Sequence, residues 1–563
     1  MVRKTLFWGL VCISLYSCDE GNKDGVDDNN TEDNLSPIAE FFIVRDVANT
    51  IDLDASNSVD EDGAIVDYNW TFGDGNTGQG KTTRHVYESP GCYDVSLEVV
   101  DDKGVVATKR GVFRVLAASS EGGIEPSLFS GFPNDGQVLP RSIGAKEDIG
   151  LFTVESLTAI EEFETLSLRI YADNEMKRET SVELCNDQAA LSQWILPVRE
   201  NHRVELVAKA LGNETLVMEA ERIVAGDFIL INGQSNAFSR EFGGSADENL
   251  DEFVRSYGSR TEDVLLHESD ESWHQAVVGG LTEEVGAVGQ WPLRMASQLS
   301  QRHNVPIALI NSARGGRPID YFQKNDADPM DSTTNYGRLL SRASRSGGIQ
   351  KIRAILFYQG EAERGDFQVH DSGFRALHED WLQDFPTNEI FYVTQIRQGC
   401  GGEVETRNVQ RLFANILEKT TVMTTTGLDG HDGCHFAYEN GYKLLGDWYT
   451  NLLSRDLYGE SSKTDIEAID VESAQLMGDT IRIKTKSDAT TITVDPGIEN
   501  DFNLEGGNRT IVSVEVDGLD LVVTLSPGGT DPTVVSYNGH PGPGPWIKNA
   551  RGLGLLAFRL ELE

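Results

Sequence analysis

The sequence Phe228-Ile229-Leu230-Ile231, followed directly by Asn232-Gly233-Gln234-Ser235-Asn236, decides the fold of the central part of the chain. A short apolar run that ends in a glycine-bearing polar turn is typical of a strand buried on both faces of a parallel sheet. Three further runs of this kind follow along the chain, at 307–310, 354–357 and 390–393. Segments with helical periodicity lie between them, and this alternation predicts an α/β domain with a mostly parallel sheet over residues 226–459.

The composition is that of a folded, multidomain and strongly acidic chain. Its 563 residues exceed what one hydrophobic core holds, and 39% hydrophobic residues are enough for folded domains. The 90 Asp and Glu residues outnumber the 48 Lys and Arg residues, which gives a formal net charge of −42. Such a surface repels phosphate backbones and anionic headgroups, so we expect no nucleic-acid partner and no electrostatic docking on membranes.

The N-terminal residues have the pattern of an export signal. Two basic residues precede the apolar stretch Leu6–Leu15, which is too short to span a bilayer. Leu15-Tyr16-Ser17-Cys18 resembles a bacterial lipobox, which predicts a lipoprotein signal peptide over residues 1–18 and lipidation of Cys18; an ordinary secretory signal is the alternative. The polar run 19–36 predicts a flexible linker. We therefore expect an exported protein, lipid-anchored to the bacterial outer membrane or cell surface, whose only membrane contact is this anchor.

Four cysteines remain beyond the signal region, and none belongs to a Cys-x-x-Cys pair, so a structural zinc site has no support. Cys400 and Cys434 flank a segment that carries candidate catalytic residues. A disulfide between them would stabilise the fold by about 3–4 kcal/mol in the chain-entropy view, and free buried thiols are the alternative. Cys92 and Cys185 fall in different predicted domains and are expected to be unpaired.

The regions on either side of the α/β domain are rich in short alternating strands. Residues 37–117 resemble the PKD domain at three motifs: Asp54-Ala55-Ser56-Asn57-Ser58, Trp70-Thr71-Phe72-Gly73-Asp74-Gly75 and His85-Val86-Tyr87. This resemblance implies an Ig-like β-sandwich that serves as a spacer or binding module. The acidic turn at 60–62 is interpreted as exposed, with a calcium site as the alternative. Residues 118–225 and 460–563 are predicted to form two further β-rich domains, so that β-sandwich domains flank the central one.

Polar turns follow three of the predicted strands at corresponding positions. They are Gly233-Gln234-Ser235-Asn236, Asn311-Ser312-Ala313-Arg314-Gly315-Gly316 and Tyr358-Gln359-Gly360-Glu361. Ligands of open α/β sheets bind outside the carboxyl ends of the strands, so we expect a site there. A serine needs a general base to become a nucleophile. Asp432-Gly433-Cys434-His435 supplies a histidine and an acid three residues apart, which predicts Ser235 as nucleophile, His435 as base and Asp432 as its orienting acid.

These motifs together resemble those of the SGNH hydrolases, and within them the sialate O-acetylesterase-like carbohydrate esterases. The similarity covers the nucleophile turn at Ser235, the second block at 311–316, the family's Tyr-Gln-Gly-Glu and the final Asp-x-x-His. Arg314 and Arg317 depart from the family, which often has Trp and Thr there, and this departure concerns the shape of the pocket. The resemblance implies a flavodoxin-like, three-layer domain and a serine esterase that removes acetyl groups from a polysaccharide or from sialic acid.

The resemblance also assigns supporting residues. The oxyanion would be held by the Ser235 amide, by an amide at Gly315 or Gly316 and by the Gln359 side chain. Three more residues are expected to contact substrate or to support the site: Asn236, Arg314 and Glu361. No dinucleotide or phosphate loop and no His-Glu-x-x-His is present, so no cofactor and no metal are expected. Two other functions stay open, a non-catalytic glycan-binding lipoprotein and an SGNH lipase or thioesterase.

Overall fold

The computed structural model describes residues 34–47, 49–117, 124–142, 148–185, 188–280, 285–461 and 463–563. The predicted signal peptide, the lipidation residue Cys18 and most of the predicted linker at 19–36 lie outside these ranges. The chain divides into two compact units, Met1–Val115 and Leu116–Glu563. Each unit has a hydrophobic core of its own.

The first unit is a β-sandwich, as its sequence predicts. Its strands are Phe42–Val47, Thr50–Asp54, Ile65–Thr71, Thr77–Gln79, Thr82–Val86, Gly91–Asp101 and Val106–Val115 (β1–β7). Strands β1, β2 and β5 form one sheet, and β4, β3, β6 and β7 form the other. Trp70 and Leu97 lie in the core between the sheets, and the Trp70 indole N–H donates a hydrogen bond to the Gly80 carbonyl at 2.8 Å.

A second β module begins the larger unit. Its strands are Phe129–Ser130, Val138–Pro140, Gly150–Ser156, Thr165–Ala172, Glu175–Glu183, Ala190–Ile195 and His202–Ala210 (β8–β14), followed by the long Asn213–Gly233 (β15). The first half of β15 pairs antiparallel with β14, and its second half runs parallel to strands of the central sheet. The predicted boundary between residues 225 and 226 therefore falls inside a continuous strand, which ties the β module to the central domain.

The central sheet is built around the second half of β15. Its other strands are Val254–Tyr257, Trp273–Gln275, Ile307–Asn311, Ile352–Tyr358, Ile390–Thr394 and Thr420–Met423 (β16–β21). The order across the sheet is β17-β16-β18-β15-β19-β20-β21, and every pair except β16–β17 is parallel. The other five strands lie in the order β18-β15-β19-β20-β21. Numbered along the chain, this order is 2-1-3-4-5, which is a doubly wound arrangement.

Helices cover both faces of this sheet. They are Ser235–Phe238, Val264–Ser269, Gln290–His303, Asn335–Arg345, Phe367–Asp384, Val404–Ile416 and Lys443–Tyr458 (α1–α7). Ile229 and Ile231 of β15 pack in one core with α3 and α7. Phe228 and Leu230 face the other way, into a core with α4, α5 and α6. The uninterrupted apolar run in the sequence thus reflects a strand that is buried on both faces.

The C-terminal module is a third β structure with its own core. Its strands are Asp470–Met477, Thr480–Lys486, Ile492–Val494, Phe502–Glu505, Ile511–Asp517, Asp520–Leu525, Val534–Tyr537, Ile547–Asn549 and Phe558–Glu561 (β22–β30). It is bonded to the central domain, because the Gln395 side chain donates to the Ala557 carbonyl at 3.1 Å and Arg411 pairs with Asp470 at 3.0 Å.

The disulfide bonding of the cysteines agrees only in part with the expectation from the sequence. Cys400 and Cys434 form a disulfide, which settles the alternative that the sequence leaves open. Cys92 and Cys185 are also disulfide-bonded, so the expectation that they are unpaired is wrong. Within the described ranges, no helix has the length and apolar character needed to cross a membrane.

A buried charge cluster lies at the start of the parallel part of β15. The Asp227 carboxylate is fully buried and accepts hydrogen bonds from Arg353 at 3.0 Å and from the Tyr458 hydroxyl at 2.6 Å. Arg353 belongs to β19 and is 3% exposed, and Tyr458 ends α7. This cluster therefore joins the central strand to a neighbouring strand and to a helix on one face of the sheet.

We expect Asp227→Ala to lower the free energy of unfolding by about 3–5 kcal/mol, because Arg353 keeps only Glu389 as a carboxylate partner and Arg141 and Tyr458 lose their buried acceptor. Chemical denaturation measures this loss. Glu472→Ala is the matched control, since it removes the partner of Lys484 in a pair whose side chains are about half exposed. The loss in Glu472→Ala should be much smaller, because both charges of this pair are solvated whether or not the pair forms. Equal losses in the two variants would contradict the importance of burial here.

Candidate active site

Ser235 lies directly beyond the carboxyl end of β15, on the first residue of α1. The turn before it passes very close to β19, because the Gln234 N–H donates to the Tyr358 carbonyl at 2.9 Å. Gly233 has a φ of +128°, and a Cβ at this position would lie 2.2 Å from the same carbonyl oxygen. Only glycine fits this conformation and approach, so Gly233 fixes where the serine emerges from the sheet.

His435 reaches Ser235 from the loop between β21 and α7. His435 Nε2 lies 3.0 Å from Ser235 Oγ, across 200 residues of sequence. The other ring nitrogen, Nδ1, lies 3.2 Å from Asp432 Oδ2. The structure thus brings together the three residues that the motifs single out, in the order serine, histidine, aspartate.

Asp432 is held by the backbone of its own loop. Its Oδ1 accepts the N–H groups of Cys434 at 2.9 Å and of His435 at 2.7 Å. Partial burial raises the pKa of Asp432, but these hydrogen bonds and the His435 side chain outweigh burial, so the pKa lies below its ordinary value. Asp432 is therefore ionised near neutral pH and is able to hold a proton on His435 Nδ1.

Contacts outside the motifs hold the histidine loop in place. The disulfide Cys400–Cys434 joins this loop to the segment after β20. Arg397 donates to the Gly433 carbonyl, to His431 Nε2 at 2.8 Å and to the Pro541 carbonyl of the C-terminal module at 2.8 Å. Arg397 carries no motif signal in the sequence, and only the folded chain identifies it as part of the site.

Asn236 connects the nucleophile turn to the histidine loop. Its side-chain nitrogen donates to Glu361 Oε1 at 2.9 Å and to the Cys434 carbonyl at 3.2 Å. Its side-chain oxygen accepts the Tyr442 hydroxyl at 2.6 Å. Asn236 is fully buried, so the structure gives it a supporting position and not one of direct exposure to the cavity.

The glycine turn after β18 lies against the serine. A Cβ on Gly315 would be 3.6 Å from Ser235 Cβ, and the Arg314 N–H donates to the Gly233 carbonyl at 2.8 Å. Gly315 and Gly316 both line the cavity that contains Ser235. Their position agrees with the expectation that this turn faces the reacting group.

Gln359 is placed differently. Its side chain is fully buried and does not line the cavity, and its amide nitrogen donates to both carboxylate oxygens of Glu363, at 2.8 and 2.7 Å. The predicted contribution of this side chain to the oxyanion hole is therefore not supported. The sequence shows which turn carries Gln359, but the direction of its amide depends on Glu363, four residues further on.

The cavity beside Ser235 has a volume of about 580 Å³. It is lined by Gln234, Ser235, Phe238, Arg240, Arg260, Arg314, Gly315, Gly316, Glu361, Ala362, Arg364, Cys400, Cys434 and His435. Four arginines thus face one cavity in a chain whose net charge is −42. Within the part of the chain that the structure describes, no group of His, Cys, Asp and Glu side chains is arranged to hold a metal ion.

Two family matches cover the first unit and the central domain. Residues 34–115 match the PKD domain, and residues 225–455 match the family described as carbohydrate esterase, sialic acid-specific acetylesterase.

Individual relatives resemble the chain over limited lengths. Collagenase ColQ1 of Bacillus cereus strain Q1 is 52% identical over 54 residues, which are 10% of this chain and 6% of that protein. Collagenase ColA of Clostridium perfringens strain 13 is 28% identical over 199 residues, which are 35% of this chain and 17% of that protein. The chain therefore spans only a small part of the length of these curated relatives.

A solved structure resembles most of the chain in fold. The crystal structure of a carbohydrate acetylesterase from Xanthomonas citri has a TM-score of 0.52 and 17% sequence identity, and the match covers 76% of this chain and 97% of that chain. At this identity the likeness concerns the fold. It extends beyond the family region at 225–455. From these matches, the chain carries a PKD domain at residues 34–115 and, at residues 225–455, a domain of the sialic acid-specific acetylesterase family of carbohydrate esterases.

Proposed function

We propose that this chain is a serine esterase that removes acetyl groups from a carbohydrate, with Ser235, His435 and Asp432 as its catalytic residues. The observation that carries the proposal is the 3.0 Å contact between Ser235 Oγ and His435 Nε2, with Asp432 on the opposite ring nitrogen. Ser235 and His435 both border a cavity of about 580 Å³, so an ester has room to reach them.

The reaction follows from this geometry. As Ser235 Oγ attacks the acetyl carbonyl, its proton passes to His435 Nε2, and Asp432 stabilises the imidazolium that forms. The imidazolium then gives this proton to the sugar oxygen that leaves, and the acetyl group stays on Ser235. A water molecule, deprotonated by His435, releases acetate and restores the serine. Backbone N–H groups at Ser235, Gly315 and Gly316 are the remaining candidates to stabilise the oxyanion.

The alternatives fit the site less well. A glycan-binding protein has no need for a serine, a histidine and an aspartate in hydrogen-bonded sequence. A lipase or thioesterase needs an apolar channel for a long acyl chain, whereas Phe238 and Ala362 are the main apolar side chains of this lining. A short acyl group on a polar alcohol suits the cavity better.

The arginines favour a sugar that carries a negative charge. Arg314 pairs with Glu262, and the Arg260 guanidinium lies over the Phe238 ring. Arg240 and Arg364, in contrast, have no ion-pair partner among the described residues and border the same cavity. Two cations without compensation attract an anion, so we propose an acetylated acidic sugar, such as a uronic or sialic acid, as substrate.

We also propose that the protein is exported and lipid-anchored through Cys18. The basic and apolar residues before Cys18 and the lipobox-like sequence support this proposal. The disulfide Cys400–Cys434 adds support, because such bonds persist mainly in oxidising compartments.

Ser235→Ala should abolish hydrolysis of 4-nitrophenyl acetate, with kcat/KM reduced at least about 10³-fold, because no other group supplies the nucleophile. Release of 4-nitrophenol measures this, and a series of acyl lengths should show acetate as the preferred ester. Ser372→Ala, on the exposed face of α5, is the matched control and should keep full activity. Activity retained in Ser235→Ala would remove this serine from the mechanism.

Arg240→Gln and Arg364→Gln should each raise KM for an acetylated uronic or sialic acid about tenfold, because each removes a charge-assisted contact. Hydrolysis of the uncharged 4-nitrophenyl acetate should not change. Acetate release from charged and carboxyl-reduced forms of one sugar measures the difference. Arg551→Gln, an exposed arginine of the C-terminal module, serves as control. Equal KM values for charged and reduced sugars in the unaltered protein would rule out recognition of the carboxylate.

Cys18→Ala should move the protein from the membrane fraction to the soluble fraction of the cells that produce it, because the thiol that would carry the lipid is gone. Fractionation followed by immunoblotting measures this. A variant protein that stays in the membrane fraction would contradict anchoring through Cys18.

A further inference from the structure

The carboxyl group of Glu361 is the least compensated polar group of the cavity. Glu361 lines the cavity but is only 6% exposed. Its Oε1 accepts the Asn236 side-chain N–H at 2.9 Å, whereas Oε2 is buried and has no hydrogen-bond partner among the described residues. A charged oxygen buried without a partner is costly, and a protonated one is not.

The surroundings of Glu361 also favour its protonated form overall. Burial raises the pKa of Glu361 to about 7. The hydrogen bond from Asn236 and the positive charge of Arg397 lower this pKa, and the negative charge of Glu363 raises it. The hydroxyls of Tyr358 and Tyr442 lie near the carboxyl, and burial raises the pKa of both, so they bring no charge. The charged or titratable groups that share the cavity lining are Arg240, Arg260, Arg314, Arg364 and His435.

A neutral carboxyl suits the reaction better than a carboxylate. Attack on an ester places negative charge on the carbonyl oxygen, and a carboxylate in the same cavity would oppose this charge. A carboxylic acid carries an O–H that donates a hydrogen bond, and a buried site keeps it in this form. The Gln359 nitrogen, which was the expected side-chain donor, is bonded to Glu363, so the cavity has no side-chain amide in that position.

We propose that Glu361 is a neutral carboxylic acid when the ester binds and that it donates a hydrogen bond from Oε2 to an oxygen of the substrate. This inference rests on the proposed esterase function. Asn236 holds the other carboxyl oxygen, so Oε2 is the oxygen left to carry the proton.

The test compares Glu361→Gln, Glu361→Ala and the control Glu439→Gln, an exposed glutamate beside the histidine loop. The pH dependence of kcat/KM for 4-nitrophenyl acetate is measured, since it reports groups of the free enzyme. The unaltered protein and the control should lose activity above about pH 7, where Glu361 ionises. They should also lose activity in acid, because a protonated His435 accepts no proton.

Glu361→Gln should keep activity within about tenfold and lose the alkaline decline, because its amide donates a hydrogen bond and does not ionise. Glu361→Ala should lose about 10²-fold at every pH, the effect of one missing donor. An unchanged alkaline decline in Glu361→Gln, or a loss equal to that of Glu361→Ala, would overturn the proposal.

A second readout does not depend on activity. Infrared difference spectra of the unaltered protein should show a protonated carboxyl at pH 6 that disappears by pH 9 and is absent in Glu361→Gln. Absence of this band at pH 6 would show that Glu361 is ionised and would overturn the inference. Failure of the esterase proposal is distinguishable from failure of this inference. The first would show as activity that survives Ser235→Ala, and it would leave the infrared band of Glu361 unaffected.

Discussion

The hydrogen bond between Ser235 and His435 joins two segments that are 200 residues apart, and the proposed chemistry depends on it. One such bond contributes only about 1 kcal/mol net, which is too little to position a loop. The loop is held instead by the disulfide Cys400–Cys434, by Arg397 on the Gly433 carbonyl and by Asn236 on the Cys434 carbonyl.

The same contacts connect the site to the rest of the larger unit. Arg397 reaches the Pro541 carbonyl, so the C-terminal module contributes to holding the histidine loop, although it lies outside the family region at 225–455. At the other end, β15 is both a strand of the second β module and the central strand of the parallel sheet. The second β module and the C-terminal module are therefore structural parts of the larger unit and not separate attachments.

Charge is distributed unevenly in this molecule. The chain as a whole is strongly acidic, yet arginines line the cavity and the one carboxyl there has a pKa raised to about 7 by burial. Arginines that line a cavity attract anions to it, even in a chain that is acidic as a whole. This arrangement is consistent with a substrate that carries a negative charge and with an oxyanion that forms beside Ser235.

The sequence by itself determined the parallel strands, the turn that carries Ser235 and the Asp432–His435 pair, because hydrophobic periodicity, turn chemistry and a three-residue spacing are local properties. Only the tertiary structure decided what distant side chains do. Gln359 was expected at the oxyanion but bonds Glu363, and no motif marks Arg397. Such partners depend on how separate segments pack. The same packing leaves the buried Glu361 Oε2 without a hydrogen-bond donor among the described residues.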